Sequence, residues 1–147
     1  MEPKLENTVN HRIASVASLL KRQIFRIIAE NELEITPEQW VILYYLWQEN
    51  GLAIGDIAAR SKKDFANVTR IVEKLGKLGY VEKRKSPADN RISNIFILPK
   101  ADKIKDKIHK CWKESTDIAL KGINKTDQKY FLTILDKIES NILEKLD

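Results

Sequence analysis

Ala66, Asn67 and Arg70 lie within about one helical turn of each other in the segment DFANVTRIVEKLGKL, residues 64–78. Their side chains offer a methyl, an amide and a guanidinium. An amide can meet N6 and N7 of adenine together, a guanidinium O6 and N7 of guanine, and a methyl the methyl of thymine. Stepping about 100° per residue puts Val68, Ile71, Val72 and Leu75 on one face, which must be core. Ala66, Arg70 and Glu73 fall opposite, with Asn67, Thr69 and Lys74 on the flanks. Phe65, a large apolar residue in the first turn, is expected to be exposed, packing on its own domain or meeting a thymine methyl.

Charge points to the same place. Residues 60–91 hold ten basic and four acidic residues, a net of +6, whereas the rest of the chain holds 16 basic and 17 acidic residues, a net of −1. The whole positive excess of the chain therefore sits in one window, where a polyanion would be drawn. Lys62 and Lys63 precede the helix, and Lys83, Arg84 and Lys85 follow it as candidate grips on phosphates. Further on, SPADNR forms a turn in which Arg91 suits a narrow minor groove. Asp89, a poor DNA ligand, is placed to hold that arginine in a fork-shaped ion pair. A solvated charged face is the plain alternative for any one charged helix, and an ordinary polar turn for SPADNR. The combination of charge, spacing and side-chain type favours DNA.

Other chemistries find little support. Two histidines and one cysteine, far apart, make no zinc pattern. Neither a glycine-rich phosphate loop nor a local nucleophile signature occurs, so no cofactor, no metal and no catalytic residue is expected. The single Cys111 excludes an intramolecular disulfide framework. The first residues do not pattern as a signal peptide, and the apolar run Trp40–Trp47 is too short to span a bilayer. A cytoplasmic protein is expected.

The elements that must position these residues follow from periodicity and caps. Ile13, Val16, Ala17, Leu20, Ile24, Ile27 and Ile28 have helical spacing within residues 8–30. Thr36, Pro37 and Gln39 make a capping box for a buried helix over 37–48. A short helix over 54–60 and a break at SKK lead to the helix that Asp64 caps and Gly79 ends. YVEKRK and ISNIFIL read as two strands around a turn, the phase of the second being open between Ile95/Ile97 and Phe96/Leu98. Two long helices follow from Pro99, the second capped by Asn124. The fold class is mainly α with a small β-hairpin: a winged helix-turn-helix over 33–98, flanked by a helical region of 1–32 and 99–147. The apolar stripes of the terminal helices need cover, which a two-fold dimer supplies.

At LEITPEQWVILYYL, GLAIGDIAARSKKDFANVTRIVEKLGKLGYVEKR and the Asp-x-Arg of DNR, the chain resembles the MarR (multiple antibiotic resistance regulator) family. The resemblance implies a homodimeric bacterial or archaeal transcription regulator, usually a repressor, whose terminal helices dimerise. It implies recognition helices in successive major grooves of a palindromic operator, and Arg91 in the minor groove. Ala66 and Asn67 stand where the family often has Ser or Thr, and Pro99-Lys100-Ala101 and Ala53 lack expected caps. Those departures should weaken two helix starts. The resemblance also implies release of DNA by a small, often anionic aromatic effector, for which Trp40, Tyr44, Trp47, His11 and His109 are the candidate lining. Plain core is the alternative for those aromatics. Two rival readings complete the set: a redox-responsive regulator using Cys111, and a winged-helix module that binds proteins rather than DNA.

Overall fold

The computed structural model describes residues 2–146, which form two compact units, one through Ser115 and one from Thr116 onward. In the first unit a short 3₁₀ turn, Leu5–Asn7, leads into α1, Val9–Glu30. Only the C-terminal part of the α1 stripe is covered: Ile24, Ile27 and Ile28 are buried with Cys111. Ile13, Val16 and Leu20 are exposed in the single chain.

α2, Pro37–Gln48, starts as its sequence predicts. Thr36 Oγ1 accepts from the Gln39 amide at 3.1 Å, and Gln39 Oε1 accepts from the Thr36 amide at 3.0 Å. This reciprocal pair satisfies donors that the first turn cannot use internally. Ile42, Leu43 and Leu46 of α2 then form the centre of the core, joined by Ile57, Val68, Leu75, Ile95 and Ile108.

Between α2 and α3, Ile54–Ser61, lies β1, Leu52–Ala53, an element absent from the expected two-stranded hairpin. It pairs antiparallel with β3, Ser93–Ile97, placing Leu52 opposite Ile95 and Ala53 opposite Asn94. On its other side β3 pairs with β2, Val81–Lys85, so the wing is a three-stranded sheet of order β1-β3-β2. Phase in β3 goes to Ile95, which is fully buried, while Phe96 is half-buried on the other face. Gly51, at φ +84°, lies under the Phe96 ring, and its amide donates to Ile95 at 2.9 Å. α3 starts at Ala53 with no side-chain cap.

α4, Phe65–Lys77, is capped by Asp64, whose Oδ1 accepts from the Asn67 amide at 2.7 Å. Gly79, at φ +83°, turns the chain into β2. α5, Pro99–Ala119, contributes Ala101 and Ile108 to the core. In the second unit α6, Lys125–Leu146, begins with Asn124 Oδ1 accepting from the Asp127 amide at 2.8 Å. No residue of α6 is buried, and Phe131, Ile134 and Ile142 are exposed.

Candidate nucleic-acid interface

α4 is held by its apolar face and open on its polar one. Val68, Ile71, Val72 and Leu75 are all buried, so the helix cannot rotate without uncovering core. On the outside, Ala66 and Arg70 are exposed, Asn67 and Thr69 are half-buried, and Phe65 keeps 60% of its surface in solvent. Phe65 therefore does not pack into its own domain. Arg70 Nη2 donates to Asn67 Oδ1 at 3.3 Å, so the two expected readers are coupled to each other. Thr69 is turned inward at its hydroxyl, which donates to the Phe65 carbonyl at 2.8 Å.

The turn before α4 brings in the lysines. Lys62 takes the left-handed conformation at φ 58°, and the Lys63 amide donates back to the Ala58 carbonyl at 3.2 Å. Lys63 and Lys74 lie near enough to Glu38, in the first turn of α2, to help lower its carboxyl pKa. The chief cause of that lowering is a hydrogen bond from Lys21 of α1. Lys21 and Glu38 thus join the charged surface beside α4. Sequence reading did not include them, because only folding brings positions 21, 38, 63 and 74 together.

The wing shows a division of labour among its cations. Lys83 reaches across to Glu73 of α4 at 3.8 Å, tying strand to helix. Arg84 pairs with Glu82 and lays its guanidinium over the Phe96 ring, 4.3 Å from the centroid. Its contacts fix the wing as well as carrying charge. Lys85 is exposed at the end of β2. At the tip, Asp89 Oδ1 accepts from the Arg91 amide at 3.0 Å and from Nε at 3.2 Å, with Nη2 to Oδ2 at 3.4 Å. That is the fork read from the sequence. The backbone amide first, and then the guanidinium, hold the Asp89 carboxyl below its ordinary range. The Arg91 side chain is 92% exposed.

Residues 35–93 match the model of the MarR family. The HTH-type transcriptional regulator BilQ of Clostridium symbiosum is 27% identical over 120 residues, covering 80% of this chain and 83% of that one. The uncharacterized HTH-type transcriptional regulator YsmB of Bacillus subtilis is 28% identical over 68% of this chain, a match spanning 64% of YsmB's own length. Among solved structures, BpsR of Bordetella bronchiseptica, whose DNA binding is regulated by 6-hydroxynicotinic acid, superposes with a TM-score of 0.86. That superposition covers 95% of this chain and 98% of BpsR at 17% identity.

The chain carries a MarR-family domain over residues 35–93, within a winged helix fold. Its matched region holds the whole of α4, β2 and the wing tip.

The chain also gathers aromatics away from α4. Trp40 stacks on Trp112 of α5, with centroids 4.1 Å apart and planes 16° from parallel, and Tyr44 lies 5.7 Å from Trp40. His109 sits edge-on to Trp47 at 5.7 Å, and Trp47 Nε1 donates to Asp102 Oδ1 at 3.2 Å. Of the five residues expected to line a cleft, Trp40 with Tyr44 and Trp47 with His109 are brought together in pairs. His11 is exposed on α1, and among the described residues no ring contact or hydrogen bond joins it to them. Trp112, the stacking partner of Trp40, is not among those five. The Trp40 indole N–H is buried and, among the described residues, has no hydrogen-bond partner.

Cys111 is 1% exposed. Burial pushes its thiol pKa up, helped by Glu114 and opposed by Lys107. A buried, protonated thiol is a poor nucleophile, which weighs against redox sensing. No helix among the described residues is long and apolar enough to cross a membrane.

Proposed function

We propose that this chain is a cytoplasmic, homodimeric, sequence-specific regulator of transcription that binds double-stranded DNA, acts as a repressor and is not an enzyme. The observation that carries this reading is the outward face of α4. A rigidly seated helix presents Asn67 and Arg70 on its outer side, with Lys63 just before it, Lys74 further along it and Lys83 of the wing paired with its Glu73. Recognition helices present such N-terminal residues to the major groove. Lys83, Arg84 and Lys85 supply phosphate contacts from β2, and Arg91 reaches the minor groove with Asp89 as its brace. Exposed Ile13, Val16 and Leu20 on α1, and Phe131, Ile134 and Ile142 on α6, are the apolar surface that a second copy covers. Two copies related by a two-fold axis read a palindrome, with half-sites about one helical turn apart. In this arrangement residues 1–32 and 99–147 pair the protomers, and 33–98 bind DNA.

The test is selection of bound duplexes from random DNA, followed by titration in salt. With six or more phosphate contacts, affinity falls by about 10³ between 50 and 200 mM salt. Salt-independent binding would overturn the DNA reading and favour a protein-binding module. A small aromatic anion is the proposed effector, in keeping with what regulates BpsR. The Trp40–Trp112 stack makes tryptophan fluorescence the readout. Phenolic and pyridine carboxylates are the probes, and silence across the set would remove the effector.

A further inference from the structure

We infer that Lys100 is a positioning residue for DNA recognition: from the first turn of α5 it clamps the C-terminal end of α4, so that α5 sets how the proposed reading helix is seated. The inference rests on the DNA-binding reading above and adds a residue that acts through α4. The end of α4 closes in a Schellman turn. The Tyr80 amide donates to the Leu75 carbonyl at 3.0 Å, and the Gly79 amide to the Gly76 carbonyl at 3.1 Å. The Leu78 carbonyl takes part in neither bond. Lys100 Nζ donates to it at 2.5 Å. The same ammonium sits over the Tyr80 ring, 4.6 Å from the centroid. The Lys100 stem passes across the turn, with Cδ 3.7 Å from where a Cβ on Gly79 would lie.

Lys100 stands where its own helix does not favour a cation. It is the second residue of α5, and a helix N-terminus carries partial positive charge. The C-terminus of α4 carries partial negative charge, so the ammonium is favoured there instead. Its neighbours in α5 are fastened to the winged helix as well. Ala101 is buried in the core, and the Trp47 indole N–H donates to Asp102 at 3.2 Å. Just before the helix, the Leu98 amide donates to the Tyr80 carbonyl at 2.9 Å. The start of α5 is therefore a fixed reference for the end of α4. At 13 residues, α4 is about 20 Å long. Its buried face opposes rotation about the axis, and Lys100 opposes tilt at the far end. A tilt about the buried middle swings the first turns, where Asn67 and Arg70 stand, the opposite way. Groups that read a ligand must be held within about 0.5 Å, so a small tilt is enough to misplace them.

The experiment compares the full-length chain with two variants. Lys100→Met keeps the stem and removes the ammonium, and Lys100→Arg keeps a cation. Binding to a duplex selected from random DNA, and to its scrambled form, is measured between about 50 and 200 mM salt. Lys100→Met is expected to weaken binding of the selected duplex about twofold to fivefold, the worth of a charge at a helix end. Binding of the scrambled duplex and the salt slope are expected to stay as in the wild type, and Lys100→Arg to recover the selected affinity. Equal weakening of both duplexes, with a salt slope smaller by about one, would make Lys100 a phosphate contact and overturn the inference. Wild-type binding by Lys100→Met would overturn it too. Amide hydrogen exchange without DNA is the second measurement. The Gly79 and Tyr80 amides should exchange faster in Lys100→Met, while the Leu43 amide in the core stays as slow as before. Unchanged exchange at the turn refutes the clamp by itself. A selection that enriches no sequence defeats the underlying DNA reading instead, and exchange still tests the clamp, so the two failures are distinct.

Discussion

Gly51→Ala tests how the wing is fixed to the body of the domain. Position 51 combines a φ of +84° with a ring packed against the glycine: a Cβ there would lie 2.9 Å from Phe96 Cε1 and 3.1 Å from Cζ. An L-residue in the left-handed region costs about 1–2 kcal/mol. Carbon atoms settle at about 3.5 Å or more, so the ring must also move by roughly 0.6 Å. The ring is in contact with two groups, Gly51 along its Cδ1–Cε1–Cζ edge and the Arg84 guanidinium 4.3 Å from its centroid. Forcing it off its rotamer adds about 0.5–1.5 kcal/mol. The total is about 1.5–3.5 kcal/mol, of which only the backbone part persists when the ring is absent. In a Phe96→Ala background the same glycine substitution is therefore expected to cost about 1–2 kcal/mol. The assay is urea denaturation of the wild type, both single variants and the double variant at one protein concentration, because the stability of an oligomer depends on it. A cycle that closes additively, within about 0.3–0.5 kcal/mol, would refute the claim that Phe96 and Gly51 constrain each other.

Thr36→Ala removes one half of the reciprocal cap on α2 and should lower the urea-derived stability by about 1 kcal/mol, with no change as the result that contradicts it. Asp89 has a lowered pKa, so its brace on Arg91 is complete above the unfolded carboxylate value of about 3.9 and is lost as pH falls through the lower folded value. The Arg91 amide resonance should accordingly titrate with a midpoint below that value, and a midpoint at or above it would show that the fork does not persist in solution. Cys111 has the opposite sign. Its raised pKa leaves stability intact below the unfolded thiol value of about 8.5 and erodes it as pH rises through the folded value. A thiol reagent at pH 7 should react only as fast as the protein opens, and prompt stoichiometric labelling of native protein would reopen the redox reading. Lys85→Ala is expected to weaken all DNA sequences alike, whereas Arg70→Ala costs about 1–3 kcal/mol and relaxes specificity. Parallel binding curves on cognate and scrambled duplexes separate the two effects.

What was legible in the sequence was whatever is written locally. The Thr36–Gln39 box, the Asp64 cap and Gly79 each act within three or four residues of an element's end, so spacing alone reveals them. The apolar face of α4 has a period, and its four positions are the four that are buried. β1 has neither cap nor period. Two residues are too few to show alternation, and Leu52–Ala53 becomes a strand only because β3 lies beside it. The phase of β3 was open for a related reason, since Ile95 and Phe96 are both apolar and only the sheet's neighbours decide which goes inside. At the interface the residue types were readable, but their commitments were not. That Asn67 gives its oxygen to Arg70, and Arg84 its guanidinium face to Phe96, depends on rotamers set by packing.

Ala53 bears on how this chain can change over generations. The helix-turn-helix begins at α3, and position 53 supplies no side chain to start it. The start is anchored instead by main-chain pairing of β1 with β3, Ala53 lying opposite Asn94. Main-chain pairing is indifferent to most substitutions, because every residue but proline carries the same amide. Position 53 can therefore drift without loosening the reading head, whereas a side-chain cap can be lost in a single nucleotide change. The cost of that robustness falls elsewhere, on Leu52 and Ile95, which are buried at the other paired position and cannot vary independently.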